Sequence, residues 1–178
     1  MRKIIHVPHE VLTTPSKSVD TIDHAVVDLV KEMEKILAAQ VDPQGVGLAA
    51  PQIGVGLRIF IAKPSKNKRA EAYINPKILE SIPLPDETTD DKKRKSHRLE
   101  GCLSIPFIWS PVKRPSAVKV EYQDLNRKKH TKWMKGFMAV IFQHEVDHLM
   151  GILFTQRALE QKATLYEEKN GKLEKMDY

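Results

Sequence analysis

Between Ile22 and Leu37 the apolar residues Ile22, Val26, Leu29, Val30, Met33, Ile36 and Leu37 recur at helical spacing. That pattern predicts an amphipathic helix with one face in a core, capped by Asp20 or Thr21. Leu57–Ala62 reads as a strand, and Ala72–Ile82 as one or two more, broken at Asn75-Pro76. Residues 116–123 alternate apolar and polar, the mark of a strand with one wet face. A turn at Asp124–Arg127 and a return over His130–Met134 close a hairpin. Gly136–Phe142 and Leu149–Phe154 carry no charge and flank Gln143–His148, so this stretch reads as a buried helix, with Gly151 either ending it or marking a close contact. Thr155–Glu168 is helix-capable, with Leu159, Ala163 and Tyr166 on one face and Asn170-Gly171 as its stop. Residues 170–178 are expected to be a flexible tail. Residues 1–19 read as an extended arm with turns at Pro8 and Pro15. The stretch 84–98 has almost no apolar content, and its acidic and basic residues nearly cancel, so it reads as a charged surface loop. With 178 residues, no internal repeat and no linker, the chain is expected to be one domain, 1–178.

Charge narrows the function classes. The net charge is +6, but the 29 basic residues are scattered among 23 acidic ones. There is no zinc-finger spacing and no Arg-rich helix, so recognition of a specific nucleic acid sequence is not expected. No run of 18 apolar residues exists, so no membrane span is expected. Cys102 is the single cysteine, which rules out an intramolecular disulfide and suits a reducing compartment. The first residues lack a signal-peptide core. A cytoplasmic location is expected.

The chemistry lies in the buried helix. His144 and His148 are four residues apart, so on a helix they share a face about 6 Å apart along the axis. Two imidazoles so placed can bind one small metal ion. Glu145 is one step round the helix, able to reach a water at the metal without ligating it, where a general base belongs. A catalytic site needs a third protein ligand. Cys102, between glycine and apolar residues, offers a thiolate. Glu168, twenty residues past His148, is the alternative and would make the chain a zinc peptidase. Glu168 lies in a highly charged stretch with little chain left to pack around it, which favours Cys102. A second alternative makes Cys102 a nucleophile with His144 as its base. In the uncharged run Gly45–Gly54, Gln52 is the lone polar side chain and a candidate donor to a substrate oxygen.

Three stretches in order, Gly45-Val46-Gly47-Leu48-Ala49-Ala50-Pro51-Gln52, Glu100-Gly101-Cys102-Leu103-Ser104 and Gln143-His144-Glu145-Val146-Asp147-His148, resemble the motifs of the peptide deformylases. The resemblance implies an α+β fold, with antiparallel sheets around a central metal-binding helix carrying His-Glu-x-x-His. It implies hydrolysis of the N-formyl group from the N-terminal methionine of nascent polypeptides, releasing formate. Cys102, His144 and His148 would hold one divalent metal, Fe2+ in the usual case, with Zn2+, Ni2+ or Co2+ able to replace it. Glu145 would be the base, and Gln52 with the Leu103 amide would hold the oxyanion. Val46, Gly47 and Gly101 would meet the peptide backbone, and Phe137, Val140 and Ile141 would line the methionine pocket. Asp147 is expected to pair with Arg114. The partners implied are formyl-methionyl peptide N-termini and a transient ribosome contact through Lys162, Lys169, Lys172 and Lys175.

Overall fold

The computed structural model describes residues 2–41, 45–65, 69–83 and 99–177. The charged loop expected at 84–98 lies outside the described residues. Among the described residues, nine strands form two antiparallel sheets. Strands β1 (Gly47–Ala49), β2 (Ile59–Ala62), β3 (Glu71–Ile82), β6 (Ala117–Gln123) and β7 (Lys129–Lys135) form one sheet in the order β1-β2-β3-β6-β7. Strands β4 (Leu99–Cys102), β5 (Ile105–Pro111), β8 (Tyr166–Lys169) and β9 (Lys172–Lys175) form the other, in that order. Three helices complete the fold, α1 (His24–Ala38), α2 (Gly136–Leu149) and α3 (Phe154–Glu160). The α+β expectation holds, and β1 and β4 are both edge strands.

Helix α1 starts two residues later than the sequence pattern suggests. Its cap is Asp23, whose Oδ1 accepts from the Val26 amide at 3.1 Å. Ile22 is buried with the helix stripe rather than being part of it. The expected break at Asn75-Pro76 is a bulge inside one continuous β3. Asn75 adopts φ 50°, the register to β6 shifts between Ile74 and Lys77, and the Asn75 side chain bonds both Val19 backbone groups at 2.8 Å. The side chain thereby ties the N-terminal arm to the bulge.

Helix α2 follows β7 with no loop, Gly136 taking φ +57° at the corner. Most of its circumference is buried, from Ala139 to Leu149, so it lies between the sheets rather than on a surface. It ends in a Schellman cap: Ile152 N–H donates to the Asp147 carbonyl at 2.9 Å, and Gly151, at φ +73°, donates to that of His148 at 3.1 Å. Phe142 meets the stacked Phe60–Tyr73 pair edge-on, which locks α2 to the first sheet.

The C-terminal region departs from expectation. The helix predicted over Thr155–Glu168 stops at Glu160, where α3 gives way to β8. Asn170 and Gly171 adopt φ 52° and 73° and join β8 to β9 in a tight hairpin, so Lys172–Lys175 is a paired strand rather than a frayed tail. The N-terminal arm is extended as expected, with a short 3-10 turn at Glu10–Leu12. It ties the sheets together: Ile5 N–H donates to Gln52 O at 2.8 Å and Val7 N–H to Ser104 O at 3.1 Å.

Candidate active site

Three elements converge beside α2. The 3-10 turn Ala50–Ile53 that follows β1 brings Gln52; β4 brings Cys102; α2 brings His144, Glu145 and His148. One ligand atom from each of Cys102, His144 and His148 lies within 4.8 Å of the other two. Cys102 Sγ lies 3.2 Å from His148 Nε2. A further cysteine–histidine grouping is unnecessary: two imidazoles and one thiolate are the donor set of a catalytic metal site with a free position.

Electrostatics point the same way. Burial disfavours the Cys102 thiolate, but His148 and His144 outweigh it and hold the thiol well below its usual range. Burial likewise works against a charged His144, yet Cys102 and Glu100 hold it well above its ordinary value. Both shifts favour a charged sulfur facing the imidazoles, and a thiolate is the form of cysteine that ligates a metal. Burial pushes the Glu145 carboxyl up to about 7, opposed by the charges of His144 and His148. Its Oε2 is buried and has no hydrogen-bond partner among the described residues. An unpaired buried carboxyl oxygen beside one thiol and two imidazoles is placed to accept a proton from a water or substrate. On these grounds the residues fit one divalent ion.

The structure brings the other predicted residues to one cavity. A cavity of about 200 Å³ is lined by Val46, Gly47, Gln52, Gly101, Leu103, Phe137, Val140 and Ile141 together with Cys102, His144 and Glu145. Gln52 is fixed at both ends. Its Oε1 accepts from the Ala49 amide at 2.8 Å, and its Nε2 faces Cys102 Sγ at 3.4 Å and Ser104 Oγ at 3.3 Å. Gly47 is required by contact: a Cβ there would lie 2.3 Å from Glu145 Oε1. Glu168 does not join this group. Its Oε2 accepts from Trp109 Nε1 at 2.9 Å, so the peptidase ligand set built on it is overturned.

The residues that orient the site were only partly found from sequence. Glu100 Oε2 meets His144 Nδ1 at 3.1 Å, leaving Nε2 for a metal. Arg114 forks onto Glu100 at 2.6 and 2.9 Å and donates to Asp147 Oδ2 at 2.8 Å, the expected pair. Arg157 adds two more bonds to Asp147, at 3.2 and 2.8 Å. Glu100, Arg114 and Asp147 are all buried, and burying a carboxylate next to a ligand histidine was the signal in the Glu100 motif that spacing alone could not reveal.

Fold and site together define a hydrolase of the metal-dependent kind, with a buried carboxyl, that of Glu145, beside the cluster able to hold the ion. The polypeptide deformylase family model matches residues 1–164, and the chain belongs to that family. A peptide deformylase of Dictyoglomus turgidum is 40% identical over 159 residues, covering 89% of this chain and 93% of the relative. One of Mesorhizobium japonicum is 36% identical, covering 98% of this chain and 94% of the relative. The crystal structure of the Thermotoga maritima peptide deformylase superposes with a TM-score of 0.75 at 32% identity, covering 88% of this chain and 97% of that one. No single helix among the described residues is long and apolar enough to cross a membrane.

Proposed function

We propose that Cys102, His144 and His148 hold one divalent ion and that Glu145 is the general base in removing the formyl group from the N-terminal methionine of new polypeptides. The carrying observation is the unpaired, buried Glu145 Oε2 beside the three-donor cluster, at the wall of a cavity between two strand edges. A bound ion supplies Lewis-acid polarisation of the formyl oxygen and of a water. Fe2+ is the ion proposed, on the family resemblance, with Zn2+, Ni2+ and Co2+ as replacements.

The chain's own groups do the rest. The free edge at Val46 and at Gly47 of β1, with Gly101 of β4 across the cavity, pairs with an extended peptide backbone. Phe137, Val140 and Ile141 give the unbranched methionine side chain an apolar seat. Glu145 accepts a proton from water as its oxygen adds to the formyl carbon. Gln52 Nε2 and the Leu103 amide hold the oxygen on which negative charge develops, each such donor being worth roughly 3 kcal/mol. The carbon–nitrogen bond breaks, Glu145 returns the proton to the departing amine, and formate leaves. One water is consumed and the peptide amine is freed.

The test is anaerobic formate release from a formyl-Met peptide with metal content measured alongside. Glu145→Gln is expected to keep the metal and lose activity by more than a hundredfold. Retained activity in that variant refutes the assignment. A single buried thiolate suits a reducing compartment, and a cytoplasmic location is proposed with it. Exposed Lys162, Lys172 and Lys175, with Lys169, are proposed to touch the ribosome transiently; equal ribosome pelleting after Lys→Glu exchange at all four removes that proposal.

A further inference from the structure

Strand β4 alternates its faces. Glu100 and Cys102 are buried and turn toward α2, where Glu100 meets His144 and Cys102 meets His148. Leu99 and Gly101 belong to the opposite face. Gly101 pairs in register with Trp109 of β5, and a Cβ on Gly101 would fall 2.7 Å from the six-membered ring of that indole. The ring therefore lies against the glycine backbone. At its other end, Trp109 Nε1 donates to Glu168 Oε2 at 2.9 Å. Glu168 comes from β8, whose strand pairs with β5 through Trp109↔Tyr166. The indole is pinned at both ends, by a missing side chain on β4 and by a carboxylate on the C-terminal hairpin. It also forms part of the wall of the catalytic cavity.

Nothing in the hydrolysis itself uses this arrangement, but an extended substrate does. Side chains of a strand alternate. A peptide whose first side chain enters the Phe137, Val140 and Ile141 seat on α2 turns its second away from α2, to the face of β4 covered by Trp109. We propose that Trp109 is a specificity-determining residue for the second side chain of the formylated peptide, favouring apolar residues there, and that Glu168 is its positioning residue. The proposal rests on the deformylase reading and makes the C-terminal hairpin part of the substrate site. A lone indole at an open rim covers one side of a leucine, so the preference is modest, about fivefold over glycine.

The test compares kcat/KM of the metal-loaded enzyme for formyl-Met-Leu-Lys and formyl-Met-Gly-Lys. Trp109→Ala is expected to lower the Leu/Gly ratio about fivefold, through KM rather than kcat. Glu168→Ala lowers it in part, because the ring is no longer held. Glu168→Gln keeps it, because the amide oxygen still accepts from the indole. A second readout is independent of turnover. The chain has two tryptophans, so Trp133→Phe leaves Trp109 as the sole emitter. Its fluorescence is expected to shift more on titration with Met-Leu-Lys than with Met-Gly-Lys. An unchanged Leu/Gly ratio in Trp109→Ala overturns the proposal, as does emission blind to the second residue. Formate release from neither peptide by the unmodified enzyme overturns the deformylase reading itself.

Discussion

Gly47→Ala isolates the position of one carboxylate. Gly47 lies in β1 opposite Ala62, in ordinary strand conformation, so an alanine there meets no backbone strain. The new Cβ would sit 2.3 Å from Glu145 Oε1, 2.8 Å from Cδ and 3.1 Å from Cγ. To restore ordinary contact the carboxylate has to retreat by about 1 Å. Glu145 is buried, 3% exposed, so it cannot simply swing into solvent. A misplacement of that size costs on the order of 10²-fold in rate. The stability cost is smaller, about 1–2 kcal/mol for local overpacking, a fall of about 2–8 °C in Tm for a domain of this size. The three atoms nearest the added one all belong to Glu145, not to Cys102, His144 or His148. The expected result is kcat down about a hundredfold, metal content unchanged and Tm slightly lowered. Gly56→Ala, where a Cβ meets nothing within 4 Å, is the neutral control. Gly47→Ala with kcat within threefold of the unmodified enzyme refutes the placement of Glu145. Loss of metal in that variant refutes the separation of base from ligands.

Further outcomes follow from neighbouring contacts. Cys102→Ser is expected to lose metal and activity under anaerobic conditions, while Glu168→Gln retains both by elemental analysis; the reverse pattern sinks the ligand assignment. Glu100 is held below the usual carboxylate range: burial raises its pKa, but hydrogen bonds from His144 and Arg114 lower it further. Its folded pKa thus lies below its unfolded one, so its stabilisation is present above the unfolded value and lost as pH falls through the folded one. Glu100→Gln is expected to cost about 3–5 kcal/mol near neutral pH by leaving Arg114 short of a partner, and urea unfolding should show a flatter loss of stability on acidification than the unmodified chain. An equally steep acid limb would assign that loss to other carboxyls. Gly151→Ala, at φ +73° with a Cβ 2.6 Å from the Thr13 carbonyl oxygen, is expected to destabilise by about 2–3 kcal/mol in the same assay, a value near zero contradicting the close packing of the arm on the α2 cap.

The helices that periodicity marks most strongly are the ones the structure returns. The stripe from Val26 to Leu37 is the buried face of α1, and the uncharged flanks of His144–His148 are what bury α2. Local signals misled where two readings shared one motif. Asn170-Gly171 fits a helix stop and a two-residue hairpin equally, and the residues on either side are too charged for apolar alternation to choose. Pairing with β5 decides it, and that contact is remote in sequence. Strand β5 itself contains two prolines and short apolar runs, which hide its period. Within the site, His144, Glu145 and His148 are legible because helical spacing fixes their geometry. Ser104 and Glu100 are not, since their roles come from the approach of β4 to α2 and to the turn that follows β1.

The buried charges explain why that approach is so well defined. Glu100, Arg114 and Asp147 sit in the interior at a desolvation cost that apolar residues of similar size would avoid, so stability alone does not account for them. Orientation does. Arg114 holds β4 through Glu100 and the last turn of α2 through Asp147, and Glu100 in turn fixes the ring of His144 through its Nδ1. Each half of the metal cluster, the thiolate on one sheet's edge and the imidazoles on the helix, is carried by a separate element. A single guanidinium bonded to both elements fixes their separation to hydrogen-bond precision, which a layer of interchangeable apolar contacts does not.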